Sequence, residues 1–216
     1  MGKGRIIATD KALSWSYCEE FVPEGDVLMA TRLQAEDLGC SPVSPGTGAT
    51  LRSLVAACGA KAVAEIGTGT GVSGLWLLSG MSEDAVLTSI DFDAEHHRVA
   101  RAAFAAAGMR PPRTRLITGR ALDVLPRMAS RTYDLMFLDG AVSETPAYVE
   151  HATRMLRPGG LMIIAHALWH DQVADPARRE PDTVAMRQLA KDIADSSDWV
   201  TQILPVGDGL LVAIRR

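Results

Sequence analysis

A basic excess is the first thing this chain lacks. Its 22 Lys+Arg stand against 26 Asp+Glu, a formal charge of −4 with a pI near 5.7, so no cationic surface for neutralising nucleic-acid phosphates is expected. Cysteine is scarce too. Cys18, Cys40 and Cys58 are odd in number and show no CxxC or Cys/His spacing, which supports neither a disulfide framework nor a zinc site and suits a reducing cytoplasm. No segment approaches the ~18 unbroken apolar residues of a membrane span, and the opening MGKGRIIATDKAL holds no apolar run of signal-peptide length. Aromatic residues make up only 5% of the chain while apolar residues reach 47%, so a core of Leu, Val, Ile, Ala and Met is expected. The reading is one cytosolic globular domain, since 216 residues suit a single core.

From residue 60 onward short apolar runs alternate with helical patterns. AVAEIG, AVLTSID, TRLITG, YDLMFLDG, LMIIAH, WVTQILPV and GLLVAIRR have the length and β-branching of seven buried strands. Between them VSGLWLLSG, AEHHRVARAAFAAAG, ALDVLPRMAS, TPAYVEHATRMLRPGG and DTVAMRQLAKDIADS suit helices packed on a sheet. Such alternation predicts a doubly wound, Rossmann-like α/β sheet. Only the turn VGDG, Val206 to Gly209, separates the last two strands, so the sheet is expected to end antiparallel. Residues 1–58 carry helical stretches ahead of the α/β core at 59–216. Simple packing is their commoner role, and covering a site or forming a dimer face the alternative.

The segment AEIGTGTGVSGLW, residues 64–76, sets Glu65, Gly67, Gly69 and Gly71 at a strand-to-helix turn, where a ligand can approach the backbone closely. Gly69, Gly71 and Gly74 also satisfy GxGxxG, a weak signal alone. Asp91, at the end of the next strand and twenty-two residues past Gly69, has the place of an acid that accepts from ribose hydroxyls. A pyrophosphate favours a helix N-terminus free of carboxylates, whereas Glu65 stands just before the turn, able to accept from a ligand ammonium, with Ser73 placed to donate to that ligand's carboxylate. An amino-acid-bearing nucleoside is favoured over a dinucleotide.

EIGTGTGVS, SIDFDAEH, GRALDVL, YDLMFLDG, LRPGGLMII and LPVGDGLLVA together resemble the S-adenosylmethionine-dependent O-methyltransferases of the catechol and caffeoyl-CoA type, especially the small bacterial members. The resemblance runs from about Val43 to the C-terminus. It implies the seven-stranded methyltransferase sheet with a reversed last strand, a homodimer built partly from N-terminal helices, and transfer of a methyl group to a small phenolic or other hydroxyl acceptor. It places Glu65, Gly67, Thr68, Gly69 and Ser73 at the methionine part of the cofactor, Asp91 at the ribose, and Phe92 and Ala121 at the adenine. Val43 and Ser44 would close over the cofactor, and Asp139 would lie near its amine and a metal.

This chain departs from the family at the metal. Members read Asp-Ala-Asp-Lys or Asp-His-Trp-Lys after the fourth strand and Asp-Asn after the fifth. Here stand Asp139-Gly140-Ala141-Val142 and Ala165-His166. One carboxylate does not supply the oxygen set Mg²⁺ prefers, and Val142 has no proton chemistry where the family carries lysine. Three readings of His166 remain open. It is a general base of near-neutral pKa, a ligand beside Asp139 for a metal softer than Mg²⁺, or a structural histidine. Trp169 matches a position near the acceptor pocket. His170 is expected in a solvated loop, and His96, His97 and His151 on solvent-facing helix surfaces, while the cysteines are expected to be buried as small apolar residues. A protein that binds the cofactor or its demethylated product without catalysis is the alternative to an enzyme, with a nicotinamide-dependent dehydrogenase third.

Overall fold

The computed structural model describes residues 11–216; most of the opening stretch read above for a signal segment lies outside them. Three helices, α1 (Lys11–Glu20), α2 (Asp26–Asp37) and α3 (Pro45–Ala57), precede β1 (Ala62–Ile66). There follow α4 (Val72–Gly80), β2 (Val86–Asp91), α5 (Ala94–Ala106), β3 (Thr114–Thr118), the single turn α6 (Ala121–Val124) and β4 (Tyr133–Leu138). The chain closes with α7 (Thr145–Met155), β5 (Leu156–Ile164), α8 (Pro181–Asp195), β6 (Trp199–Leu204) and β7 (Leu210–Arg215). Among the described residues no helix is long and apolar enough to cross a membrane.

All seven strands form one sheet in the order β3-β2-β1-β4-β5-β7-β6. The first five pair in parallel, and β7 runs antiparallel to both β5 and β6, as the short VGDG turn predicted. Period-two alternation splits the interior into two cores. Val63, Leu135, Phe137, Leu161 and Ile163 pack toward α3, α4 and α5. Ala64, Ile66, Met136, Leu138, Met162 and Ile164 face α6, α7 and α8. Phe137 is wholly buried, and its truncation to alanine would cost about 3–5 kcal/mol.

Two predicted helices end early, each at a proline. The helix read through Gly160 stops at Met155 and gives way to β5, because Pro158 disfavours helical geometry at Arg157. The pattern over 121–130 resolves into α6 and a 3-10 turn, Leu125–Arg127, with Pro126 inside it. Ahead of the sheet α3 begins at Pro45, where Ser44 caps it by accepting from the Thr47 amide at 3.2 Å.

Candidate active site

The strand order reverses between β1 and β4, so the loops that follow these two strands diverge to opposite faces and leave a crevice at their carboxyl ends. A cavity of about 690 Å³ occupies it. Gly67 leaves β1 at φ +90°, and a Cβ there would lie 2.2 Å from the Asp139 carbonyl oxygen; only glycine lets the two strand ends approach so closely. Gly69 turns at φ +49° with open space before it, its amide donating to Asp91 Oδ2 at 2.9 Å. Gly67, Thr68 and Gly69 all line the cavity.

Asp91 organises the β2 end. Its Oδ1 accepts from the Asp93 amide at 2.9 Å, and His96 Nδ1 lies 3.2 Å from Oδ2. Asp91, Phe92 and Ala121 line the cavity, Phe92 with 73% of its surface exposed. The expected solvent-facing pair of histidines is not found. His96 lines the cavity with Nε2 3.1 Å from Cys40 Sγ, and His97 is 3% exposed, wedged between Thr68 and Thr118. Asp93 caps α5 by accepting from the Glu95 amide at 2.8 Å, and packing on the sheet sets which face of the helix turns inward. His151 on α7 is half-buried and outside the cavity lining. Cys18 is exposed rather than buried, since α1 buries none of its residues.

Glu65 and Ser44 sit apart from their expected place. Neither lines the cavity. Glu65 is wholly buried, accepting from Ser73 Oγ at 2.6 Å and from Ser89 Oγ, and burial pushes its carboxyl up to about 7 against the pull of these two hydroxyls. Any influence on a ligand passes through Ser73, which does reach the cavity wall. Ser44 is spent as the α3 cap, while its neighbour Val43 contributes to the lining.

The β4–β5 end is built differently. Asp139 follows β4, and its Oδ1 lies 3.3 Å from His166 Nε2; the opposite nitrogen, Nδ1, lies 2.8 Å from Asp208 Oδ2. An imidazole with a carboxylate at each nitrogen is held as the doubly donating cation. The bond to Asp139 leads in raising its pKa to about 9, with both carboxylate charges adding and partial burial opposing. His166, Trp169, His170 and Asp171 all have positive φ, between 46° and 61°, so the segment is a strained turn, in keeping with the loop expected for His170. Asp208 secures it by accepting from the His170 amide at 2.6 Å, and the Leu168 amide donates to the Asp208 carbonyl. His170 itself is exposed; Trp169 lines the cavity.

These residues do not fit Mg²⁺, which takes near-octahedral oxygen ligands. Asp139 offers the one protein carboxylate at the family positions: Ala165, buried after β5, stands where the family carries aspartate and has no donor to give. For a softer ion Asp139 and His166 supply two donors, short of the three or four such metals take. Among the described residues no group of three His, Cys, Asp or Glu side chains is gathered as a metal-ligand set.

Asp208, Cys40 and the Glu144–Tyr148 pair were missed in the sequence. Asp208 was read only as a turn residue, although an acid inside VGDG was visible there. Arg120 and Glu144 pair across the cavity rim at 2.8 Å, with Tyr148 donating to Glu144. No local pattern announces that contact.

Known proteins match this architecture over nearly its full length. A family model described as O-methyltransferase matches residues 27–216. A candidate O-methyltransferase of Mycobacteroides abscessus is 48% identical over 200 residues, 93% of each chain. A crystal structure of a protein from Corynebacterium glutamicum superposes with TM-score 0.88 at 31% identity, covering 96% of this chain and 97% of that one. An O-methyltransferase of Bacillus cereus, solved in complex with SAH, gives TM-score 0.83 at 26% identity over 95% and 97% of the two chains. On that family model and the identity to curated relatives, the chain belongs to the O-methyltransferase family.

Proposed function

We propose that this single methyltransferase domain transfers the methyl group of S-adenosylmethionine to the hydroxyl oxygen of a small phenolic acceptor without Mg²⁺, with His166 as general base. The observation that carries this reading is the placement of His166 on the cavity wall against Asp139, with Asp208 behind it. The cofactor's adenosine lies along Asp91, Phe92 and Ala121, and its methionyl group over Gly67, Thr68, Gly69 and Ser73. Its ammonium group meets Asp139.

That last contact gives His166 its function. The bond to Asp139 is the largest of the influences that raise the His166 pKa. An ammonium on Asp139 competes for the same carboxylate, frees Nε2 toward the acceptor and lowers the imidazole's pKa toward the ordinary value. Binding the methyl donor thereby prepares the base. His166 then removes the hydroxyl proton as the oxygen attacks the methyl carbon, the C–S bond breaks and the thioether product leaves. Holding donor and acceptor in line supplies the rest of the rate.

Two measurements test the reading together. Methylation of a catechol and monophenol panel should survive EDTA, and His166→Gln should abolish it while S-adenosylmethionine still binds. Activity that disappears with EDTA, or persists in the variant, would overturn it. We also assign the protein to the cytoplasm, on its three free thiols. The exposed apolar side chains of α1 and of the residue that follows it, Trp15, Tyr17 and Phe21, we assign to contact with a second copy in a homodimer. Sedimentation of Trp15→Ser/Phe21→Ser as a monomer, against a wild-type dimer, checks this.

A further inference from the structure

Beneath the glycine turn six polar side chains, five of them buried and the last, Thr118, exposed, form an unbroken chain. Ser73 Oγ donates to Glu65 Oε1 at 2.6 Å, and Ser89 Oγ donates to Oε2. Thr68 Oγ1 lies 2.6 Å from Ser89 Oγ, His97 Nε2 lies 3.0 Å from Thr68 Oγ1, and Thr118 Oγ1 lies 2.9 Å from His97 Nδ1. Sheet register sets the arrangement: Glu65 on β1 sits directly opposite Ser89 on β2. Both point to the α4–α5 face, where Ser73 and His97 meet them.

Counting hydrogens fixes the direction of every bond. A hydroxyl has one hydrogen to give, and an ionised carboxylate only accepts. Ser89 spends its hydrogen on Glu65, so Thr68 must donate to Ser89. The contact between Thr68 and His97 is then a hydrogen bond only if Nε2 carries the proton. Nδ1 is left with its lone pair, and Thr118 donates to it. The chain runs one way, from Thr118 through His97, Thr68 and Ser89 to Glu65. The same count governs Ser73. Its hydrogen is spent on Glu65, so its oxygen offers only lone pairs to the cavity, the opposite of the donor role expected from sequence.

We propose that His97 is a positioning residue for cofactor binding: as the Nε2–H tautomer it orders the chain that holds Thr68 and Glu65, and so keeps Ser73 an acceptor for the donor's ammonium group. The proposal rests on the reading above that the methionyl end of S-adenosylmethionine lies over the glycine turn. His97 touches no ligand; Thr68 and Ser73 carry its influence to the cavity wall. Burial lowers its pKa, with Arg101 and His96 adding and Asp91 and Asp93 opposing. Glu65, facing the charges of Asp139 and Asp91, is pushed up to about 7, mainly by burial. A proton on its Oε2 lets each hydroxyl turn over and leaves His97 as the Nδ1–H tautomer. The tautomer of His97 therefore reports the charge of Glu65.

The test uses the full chain with ¹⁵N-labelled imidazoles. At pH 8.5, where Glu65 is ionised, long-range ¹H–¹⁵N spectra should show His97 neutral and protonated at Nε2; an Nδ1–H or imidazolium signature overturns the chain. In calorimetric titrations with S-adenosylmethionine, His97→Leu should weaken binding about tenfold. His97→Gln, whose amide N–H reaches toward Thr68, should return it to within about threefold. A folded His97→Leu variant with wild-type affinity contradicts the proposal, and should that variant fail to fold, the wild-type spectrum and the Gln variant still decide it. Ser73→Ala separates the two ways of failing: unchanged affinity there refutes the ammonium placement and with it the cofactor role of His97, whereas a wrong tautomer refutes the chain alone.

Discussion

At the β1–β2 end of the cavity most of the polar framework is fixed by neighbours within 24 residues: the Gly69 amide on Asp91 across 22, Ser73 on Glu65 across eight, Ser89 on Glu65 across 24, with His96 on Cys40 across 56 the longer reach. At the β4–β5 end His166 is held by Asp208, 42 residues away, on a turn of left-handed residues. The first end is regular strand and helix with its hydrogen bonds satisfied internally. The second is strained backbone pinned by one carboxylate. Under the proposed placement of cofactor and acceptor, a cofactor common to many enzymes calls for the first construction, and an acceptor particular to one enzyme can be accommodated by altering the second without disturbing the sheet.

Breaking the two ends one at a time should therefore give separable defects. The largest is expected from His166→Gln, with kcat falling roughly 10²–10⁴-fold in steady-state assays while calorimetry shows S-adenosylmethionine bound no more weakly than by wild type, since the variant no longer holds a cation against Asp139; a matching loss of affinity would dissolve the distinction. Asp91→Asn should do the reverse. Loss of a charged acceptor costs about 1.5–3 kcal/mol, on the order of 10–100-fold in Kd, with little effect on kcat at saturating cofactor. Asp208→Asn keeps the shape but removes the charge behind His166. We expect kcat lower by about tenfold, unchanged cofactor binding, and a His166 resonance that titrates at lower pH than in wild type.

The smallest effect is on stability. His166 has its pKa raised from the ordinary 6.5 to about 9 in the fold, so its contribution is fully present below pH 6.5 and is lost as pH rises through 9. Its side chain is 35% exposed, and solvent screening reduces the contribution to roughly 1–2 kcal/mol. Tm should fall by about 2–6 °C between pH 6.5 and 9.5, and by less in His166→Gln. An equal decline in both proteins would assign the pH dependence elsewhere.

What could be read in the sequence follows the same division. Strand alternation, the glycine turn and Asp91 were legible because each depends on local spacing. The reversed end of the sheet was legible because VGDG is too short for anything but a hairpin. His97 was misread because an i, i+1 histidine pair says nothing about which face of α5 turns inward; the sheet beneath decides that. Glu65 was placed correctly on its strand yet assigned to the ligand, since pairing opposite Ser89 depends on strand register. Asp208 lay outside any local reading. Its role exists only because β7 inserts beside β5 and brings the hairpin against the loop after Ala165.

The central claim, that His166 acts as a base prepared by cofactor binding, is tested most directly by the pH dependence of acceptor methylation in EDTA at saturating S-adenosylmethionine. The account predicts a rate that rises with pH along a limb whose midpoint lies between the ordinary histidine value of about 6.5 and 9, absent in His166→Gln. A rate that falls through that range would make the imidazolium the active form and contradict the account.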